Sequence, residues 1–393
     1  MENVIVTDVR YRMSLPVIRS LGRAGARVIC TDLAKTPERA ALGFASKYAH
    51  ACARLPDPED AEAFFSALAA LAQDTRPAVL PVGIDTLLAL CSYPAEAESA
   101  FRTALPPLPS IQLANDKFAL VRQAEAVGVP CPATTTLSAG EDVDALAARV
   151  PYPAVVKYRA GELLRLDPKD RYRIVATPEE LARAFSSMHA RQPYPLVQEY
   201  VPGEGFGVSA VFDKEHNPLQ VFCHRRLREY PVTGGPSCLC ESAWDEELVR
   251  HAVALLRSLG WVGVAMVEFK GGPAAGYKLM EINPRFWGSL ALAPAAGCDI
   301  PLALYRAACG ELAGSADPSP DYRLGKRMRF FLQDALALKG YLKRAPDKLP
   351  FALKYIGSLL DPRIADGVFS MGDPKPGLRY LRQALHKTDK IIR

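Results

Sequence analysis

Residues 263–271 read GVAMVEFKG and residues 277–288 read YKLMEINPRFWG, joined through Gly271-Gly272-Pro273-Ala274-Ala275-Gly276. Apolar alternation on both sides of a glycine- and proline-rich joint predicts an antiparallel hairpin with a longer loop. Closed symmetrically about that loop, the hairpin sets Glu268 opposite Glu281. Side chains alternate with period two along a strand, so Glu281, Asn283 and Arg285 are expected on one face. Two carboxylates, a carboxamide and a guanidinium would then converge on one patch. Facing carboxylates repel unless a cation lies between them. Hard oxygen donors of this kind are what magnesium takes when it also holds phosphates.

Outward from the hairpin, the chain alternates strand-like and helix-like segments. Residues 3–8 and 27–32 read as strands, Ser14 to Ala24 as a helix stopped by Gly25, and Ala61 to Ala72 with Ala78 to Val82 as a further helix and strand. This predicts a small parallel sheet with helices on its faces. Its first strand ends in Thr7-Asp8 rather than a GxGxxG turn, so a dinucleotide cradle is not expected there. Asp32 reads either as a ribose contact or as a charged strand cap at the surface. Asp85 reads either as a group that orients a substrate amine or as a cap for a helix starting at Thr86.

A helix from Asp116 to Val127 leads into a second unit. Strands are expected at Val155-Val156-Lys157, Leu196 to Val201, Val208 to Phe212 and Leu219 to Cys223, with helices at Pro178 to Met188 and Ala243 to Leu259. After the last of the strands comes His224-Arg225-Arg226 with Arg228. Alternation would put His224, Arg226 and Arg228 on one side, where arginine can clamp a phosphoryl group or a carboxylate by paired hydrogen bonds. The segment PVTGGPS that follows reads as a mobile loop able to close over substrate.

Composition narrows the function classes. The 393 residues are 49% hydrophobic and 23% charged, as in soluble globular chains. The opening MENVIVTDVRYR lacks a charged leader and apolar core, no run of eighteen apolar residues occurs, and the nine cysteines follow no framework, so a cytoplasmic protein with reduced thiols is expected. No zinc-ligand cluster, nucleophile elbow, Walker A loop or kinase motif set is present. The net charge of +5 is uneven: from Asp321 onward 16 Lys and Arg stand against 7 Asp, so that region carries +9 and the rest −4. The basic region reads as an ordinary solvated helical surface, with nucleic acid, an anionic membrane or a substrate-side lid as alternatives, and no RNA-binding module or polybasic block accompanies it. Gly325 to Arg344 reads as a helix with Met328, Phe331, Ala335 and Leu338 on its apolar face, packed on the body of the protein.

The order of these motifs resembles the ATP-grasp superfamily, in the style of carbamoyl-phosphate synthase and biotin carboxylase ATP-grasp domains. Asn115-Asp116-Lys117 matches the family's first nucleotide-contacting lysine, and Val155-Val156-Lys157 the second, on the strand over the phosphates. Gln198-Glu199-Tyr200-Val201 matches the hinge that holds the adenine. Glu268 with Glu281-x-Asn283-x-Arg285 matches the metal and phosphate end. The likeness covers roughly 300 residues. Two positions depart from the pattern. Phe206 stands where the family usually has a ribose-binding glutamate, leaving Glu204 as the acidic alternative. The phosphate loop is Arg159-Ala160-Gly161-Glu162, with one glycine only, which limits how closely backbone N–H groups approach a phosphate.

The resemblance implies an N-terminal Rossmann-like parallel sheet over residues 1–113 and an ATP-grasp domain of two subdomains over 114–310, hinged near 198–203. A basic helical extension over 311–393 completes this α/β and α+β architecture. It implies ATP and magnesium, or manganese in its place, as cofactors. Lys117, Lys157, Gln198, Glu199, Tyr200, Val201 and Glu204 would hold the nucleotide, Glu268, Glu281 and Asn283 the metal, and Arg226, Arg285 and Lys157 the transferring phosphoryl group. The implied reaction joins a small carboxylate to an amine, amino acids among them, through an acylphosphate. Alternatives are a carboxylase or carbamoyl-phosphate-type enzyme using bicarbonate, and a nucleotide-binding regulator without catalysis. The oligomeric state is left open, a homodimer included.

Overall fold

The computed structural model describes residues 3–386 apart from 73–74, 139, 162–163, 165, 167–169, 233, 273–275 and 312–317. Its first sheet is parallel, built from β1 (Asn3–Val6), β2 (Arg27–Leu33), β3 (Ala49–Leu55) and β4 (Ala78–Leu80) in the order β3-β2-β1-β4. The apolar runs of β1 and β2 are buried because helices cover both faces. The helix Ser14–Arg23 ends where Gly25 adopts φ +89°, a turn that brings the chain back into β2. β3 escapes a reading by pattern, since AHACARL is short of apolar residues and mostly exposed or half-buried.

Two aspartates at this sheet's edge differ from the expected placement. Asp32 is buried rather than a surface cap: it accepts from the Arg10 backbone N–H at 2.5 Å and from Arg10 Nη1 at 2.7 Å. Asp8, also buried, accepts from the Gly83 N–H at 3.0 Å and pairs with Arg10 Nη2 at 3.1 Å. The helix after β4 begins at Ile84 behind Gly83, so Asp85 lies in its first turn and is not its cap.

The second sheet is small and antiparallel: β5 (Thr134–Thr135), β6 (Ala154–Lys157), β7 (Tyr172–Val175) and β8 (Leu196–Glu199), ordered β5-β8-β6-β7. Helices Val143–Arg149 and Pro178–His189, capped by the side chains of Asp142 and Thr177, close its own core of Leu146, Val156, Leu181, Phe185 and Val197.

The third sheet contains β9 (Glu204–Phe212), β10 (Pro218–Glu229), β11 (Ser237–Ala243), β12 (Gly263–Gly272), β13 (Gly276–Asn283), β14 (Arg327–Arg329) and β15 (Ala365–Asp366). Its order is β13-β12-β9-β10-β11-β14-β15, antiparallel except for the last pair. Two expectations are corrected here. The strand predicted to stop at Cys223 runs on to Glu229, so the basic cluster lies within β10. Gly325 to Arg344 is not one helix: residues 327–329 pair with β11, and the helix begins at Phe331. Met328 is consequently buried as a strand residue, whereas Phe331 is exposed and the helix's buried positions are Asp334 and Ala337.

The first sheet, the third sheet and the C-terminal segment share one continuous core, in which Val4 and Leu80 join Phe222, Trp287, Met328 and Phe330. Among the described residues no helix is long and apolar enough to cross a membrane.

Candidate active site

The hairpin of β12 and β13 pairs Glu268 with Glu281 and Met266 with Asn283, and a register shift follows Glu268. The turn residues Pro273, Ala274 and Ala275 lie outside the described residues. On the neighbouring strand Glu268 faces Gly207, and β10 places His224 beyond it. Glycines at 205 and 207 leave room for what comes across. A Cβ at Gly205 would sit 2.9 Å from Arg226 Cδ, and one at Gly207 would collide with the His224 ring.

Cations meet both carboxylates. Arg226 Nη2 lies 2.5 Å from Glu268 Oε2, and Asn283 Nδ2 donates to Glu268 Oε1 at 3.0 Å. Lys117, at the first position of the helix Lys117–Ala126, reaches Glu281 Oε2 at 2.8 Å. Lys117 and the burial of its neighbours separate the two acids. Glu281 is held down at about 2, mainly by Lys117. Glu268 is raised by burial and by the charge of Glu281, against the pull of Arg226. Lys157, at the end of β6, is pushed down to about 7 by burial first and by Lys117 second. Lys117, Lys157 and Arg226 are thus three cations gathered against the two carboxylates.

The second hinge-side group forms where β8 ends. Gln198 is buried and donates Nε2 to Thr134 Oγ1 at 2.7 Å. Glu199 accepts from Lys278 Nζ at 2.7 and 2.6 Å and from the Ala133 N–H at 3.2 Å, and the Lys278 bond lowers its carboxyl. Tyr200 carries Lys270 Nζ 5.2 Å from its ring centroid, and Val201 is buried. Gly203 has φ +107°, and a Cβ there would come within 2.5 Å of the Gly271 carbonyl oxygen, so the chain after β8 passes tight against the hairpin. Sequence reasoning misses Lys278. Its one signal is a lone lysine in an apolar strand, beside Tyr277 and Leu279.

Other predicted residues are dispersed. Phe206 points into the core, with its ring edge-on to Tyr277 at 5.2 Å, so its face of β9 is not the one that carries the carboxylates. Glu204 is exposed at the start of β9 and, two residues from Phe206, shares its face, which puts it on the side opposite Gly205 and Arg226. Arg285 lies beyond the end of β13, donates Nη1 to the Phe286 carbonyl at 3.0 Å and lines a small cavity with Pro81, Val264 and Pro284. Arg226 and Arg228 part company at a bulge in β10. Arg228 turns to Asp334, and Arg225 to Glu241 at 2.7 Å. His224 is buried, donates or accepts at Ser289 Oγ over 3.1 Å, and is held neutral at about 3 by burial and Arg226.

Arg159 tethers the small sheet to the site: its backbone carbonyl accepts from the Lys117 N–H at 3.1 Å and its Nη2 donates to Asp116 at 2.8 Å. Glu162 of the predicted phosphate loop lies outside the described residues, as does Thr233 of the loop after β10. The rest of that second loop is anchored on two sides. Tyr172 Oη donates to the Gly234 carbonyl at 3.1 Å, and Arg344 Nη1 to the Val232 carbonyl at 2.7 Å.

The large antiparallel sheet brings Arg226 against the paired carboxylates Glu268 and Glu281, and Lys117 closes on Glu281 from its own helix. Residues 191–329 match the family model described as ATP-grasp in the biosynthetic pathway with Ter operon. The fold is similar to the biotin carboxylase of Campylobacter jejuni in its complex with β,γ-ATP (TM-score 0.64, 18% identity, 82% of this chain and 74% of that one). It is similar to the L-amino acid ligase of Bacillus licheniformis (TM-score 0.57, 16% identity, 81% and 78%). N5-carboxyaminoimidazole ribonucleotide synthetase of Thermus thermophilus is a third such likeness (TM-score 0.58, 18% identity, 81% of each chain). No curated protein sequence gives a significant match. The chain thus shares the fold of these structures, and its residues 191–329 carry the match to the family model.

Proposed function

We propose that this chain is an ATP-dependent, ADP-forming carboxylate–amine ligase. The observation that carries the reading is the pair Glu268 and Glu281, opposed on adjacent strands and ringed by Lys117, Lys157 and Arg226. A regulator without catalysis would have no use for two opposed acids at the phosphate end. Among the described residues no three His, Cys, Asp or Glu side chains cluster as a metal site. The donor set is therefore two carboxylates and the Asn283 carboxamide oxygen, which fits a hard cation that takes its remaining ligands from phosphate and water. Glu268, Glu281 and Asn283 would hold magnesium, or manganese in its place, and the ion would supply charge neutralisation between the outer phosphates.

The chain's own residues do the rest. Lys117 and Lys157 give up their mutual repulsion when phosphate oxygens lie between them. Arg226, paired with Glu268, could hold the γ-phosphoryl oxygens, or the substrate carboxylate as it attacks the γ-phosphorus. That attack makes an acylphosphate and ADP. An amine then displaces phosphate, so carbon changes its oxygen partner for nitrogen and no protein nucleophile is required. Gln198 to Val201, beside the hinge glycine, would border the adenine, with Lys278 keeping Glu199 ionised.

The test is ATP turnover against pooled amino acids and small carboxylates, with nucleotide products separated by chromatography and conjugates found by mass. ADP and phosphate in step with an amide product support the reading. AMP as the stoichiometric product overturns it, and turnover that needs bicarbonate but no amine assigns the carboxylase alternative.

A further inference from the structure

The helix Lys348–Leu359 and the residue after it expose Leu349, Leu353, Ile356 and Leu360 by 71, 64, 45 and 74%. At about 100° per residue the four lie within about 60° of one another and form one ridge. This ridge is not the helix's packing face. Tyr355 is buried on the other side, donates Oη to the Asp334 carbonyl at 2.8 Å and touches Phe351 with ring centroids 5.7 Å apart. Ser358 Oγ, also on that side, accepts from Arg228 Nη1 at 3.1 Å. The helix is thus seated on the body through Tyr355 and Ser358 and carries a second apolar stripe facing outward.

Charge surrounds the ridge. Residues 339–360 hold Lys339, Lys343, Arg344, Lys348 and Lys354 against Asp347, a net of +4, and all of these are exposed. Among the described residues none of the four lysines has a salt-bridge partner. A second copy docked here would bring like charge against like charge. Protein interfaces favour Tyr, Trp and Arg at their centres and disfavour Lys, whereas this face offers aliphatic side chains with lysines around them. Aliphatics that enter a headgroup layer, with lysines left at its phosphates, match an anionic lipid surface.

We propose that the exposed ridge Leu349, Leu353, Ile356 and Leu360, with its flanking lysines, seats the protein on an anionic membrane surface without spanning it.

The experiment is flotation of the full-length protein with vesicles of phosphatidylcholine alone and with vesicles that also contain phosphatidylglycerol. The protein is expected on the anionic vesicles only. L353E/I356E should lower the partition coefficient at least roughly tenfold. K348E/K354E should abolish the preference for anionic lipid, and added salt should weaken wild-type binding. These positions are exposed, so melting temperature should stay unchanged in both variants. Absent or lipid-independent binding overturns the proposal, as does equal partition of wild type and L353E/I356E. So does a wild-type dimer that ignores vesicles and that L353E/I356E dissociates, or binding to polyglutamate in place of vesicles.

Discussion

Arg228 and Asp334, 106 residues apart, form a two-point ion pair: Nε to Oδ1 at 2.7 Å and Nη2 to Oδ2 at 2.6 Å. The carboxylate is fully buried and also accepts from Tyr355 Oη at 3.0 Å, so its charge is completely matched. The pair joins the basic end of β10 to the C-terminal helices.

Asp334→Ala should leave the Arg228 guanidinium buried without a counter-charge and cost about 3–5 kcal/mol of stability. Chemical denaturation measures it. A loss below about 0.5 kcal/mol, the range of ordinary surface changes, would show that water reaches the site and satisfies the arginine.

Glu281→Gln removes one of the carboxylates proposed to hold the metal and the partner of Lys117. Metal-dependent ATP turnover should drop at least roughly a hundredfold, while circular dichroism and melting stay near wild type, because the residue is half-buried and lies at a ligand-facing end. Near-normal turnover at saturating magnesium in the folded variant would remove Glu281 from the metal set.

Lys157 sets a pH dependence with a defined sign. Its folded-state value, about 7, lies below the 10.5 of a free lysine. The folded protein therefore releases this proton as pH rises through about 7, while the unfolded chain keeps it to about 10.5, so the residue's contribution to stability rises across that interval. Phosphates placed beside the amine favour its charged form. Nucleotide binding above neutral pH should then take up protons, approaching about one per site. Calorimetry in buffers of different ionisation heat reads the uptake, and Lys157→Met should remove it. Proton release by the wild-type protein on binding would contradict the assignment.

A chain ended before Asp321 should melt lower than the full protein or fail to remain soluble. The cut uncovers the edge of β11, takes Met328 and Phe330 out of the core and leaves Arg19 without Asp373, its partner at 3.0 Å. Equal melting temperatures would show that the extension adds nothing to the fold.

The hairpin register is legible because alternation, a glycine-rich joint and an acid on either side of it agree with one another, the one-residue difference in spacing being taken up by the register shift after Glu268. The Glu268–Glu281 pairing is a local, nearest-strand fact. What the sequence hides is non-local. β10 reads as ending at Cys223 because four basic residues in five do not look like a strand. They belong to one because carboxylates at 241, 268 and 334 come to meet them. Arg327 to Arg329 read as helix for a similar reason, since only the open edge of β11 gives them a ladder. Asp32 looks like a surface residue until Arg10 is seen to enclose it. Lys117 and Glu281 are 164 residues apart, and no short window of sequence contains both. In the site, the residue types are readable and their pairings are not.

The continuous core that runs from Val4 through Phe222 to Phe330 bears on how such a protein can change its substrate. Grafting the first 113 residues of a relative onto this chain would replace half of a packed interior with side chains shaped for another one. Chimeras at that boundary should aggregate. Replacements in the loop after β10, where Pro231, Gly234 and Pro236 are exposed, disturb far less than replacements after β1, where Thr7, Asp8 and Val9 are buried.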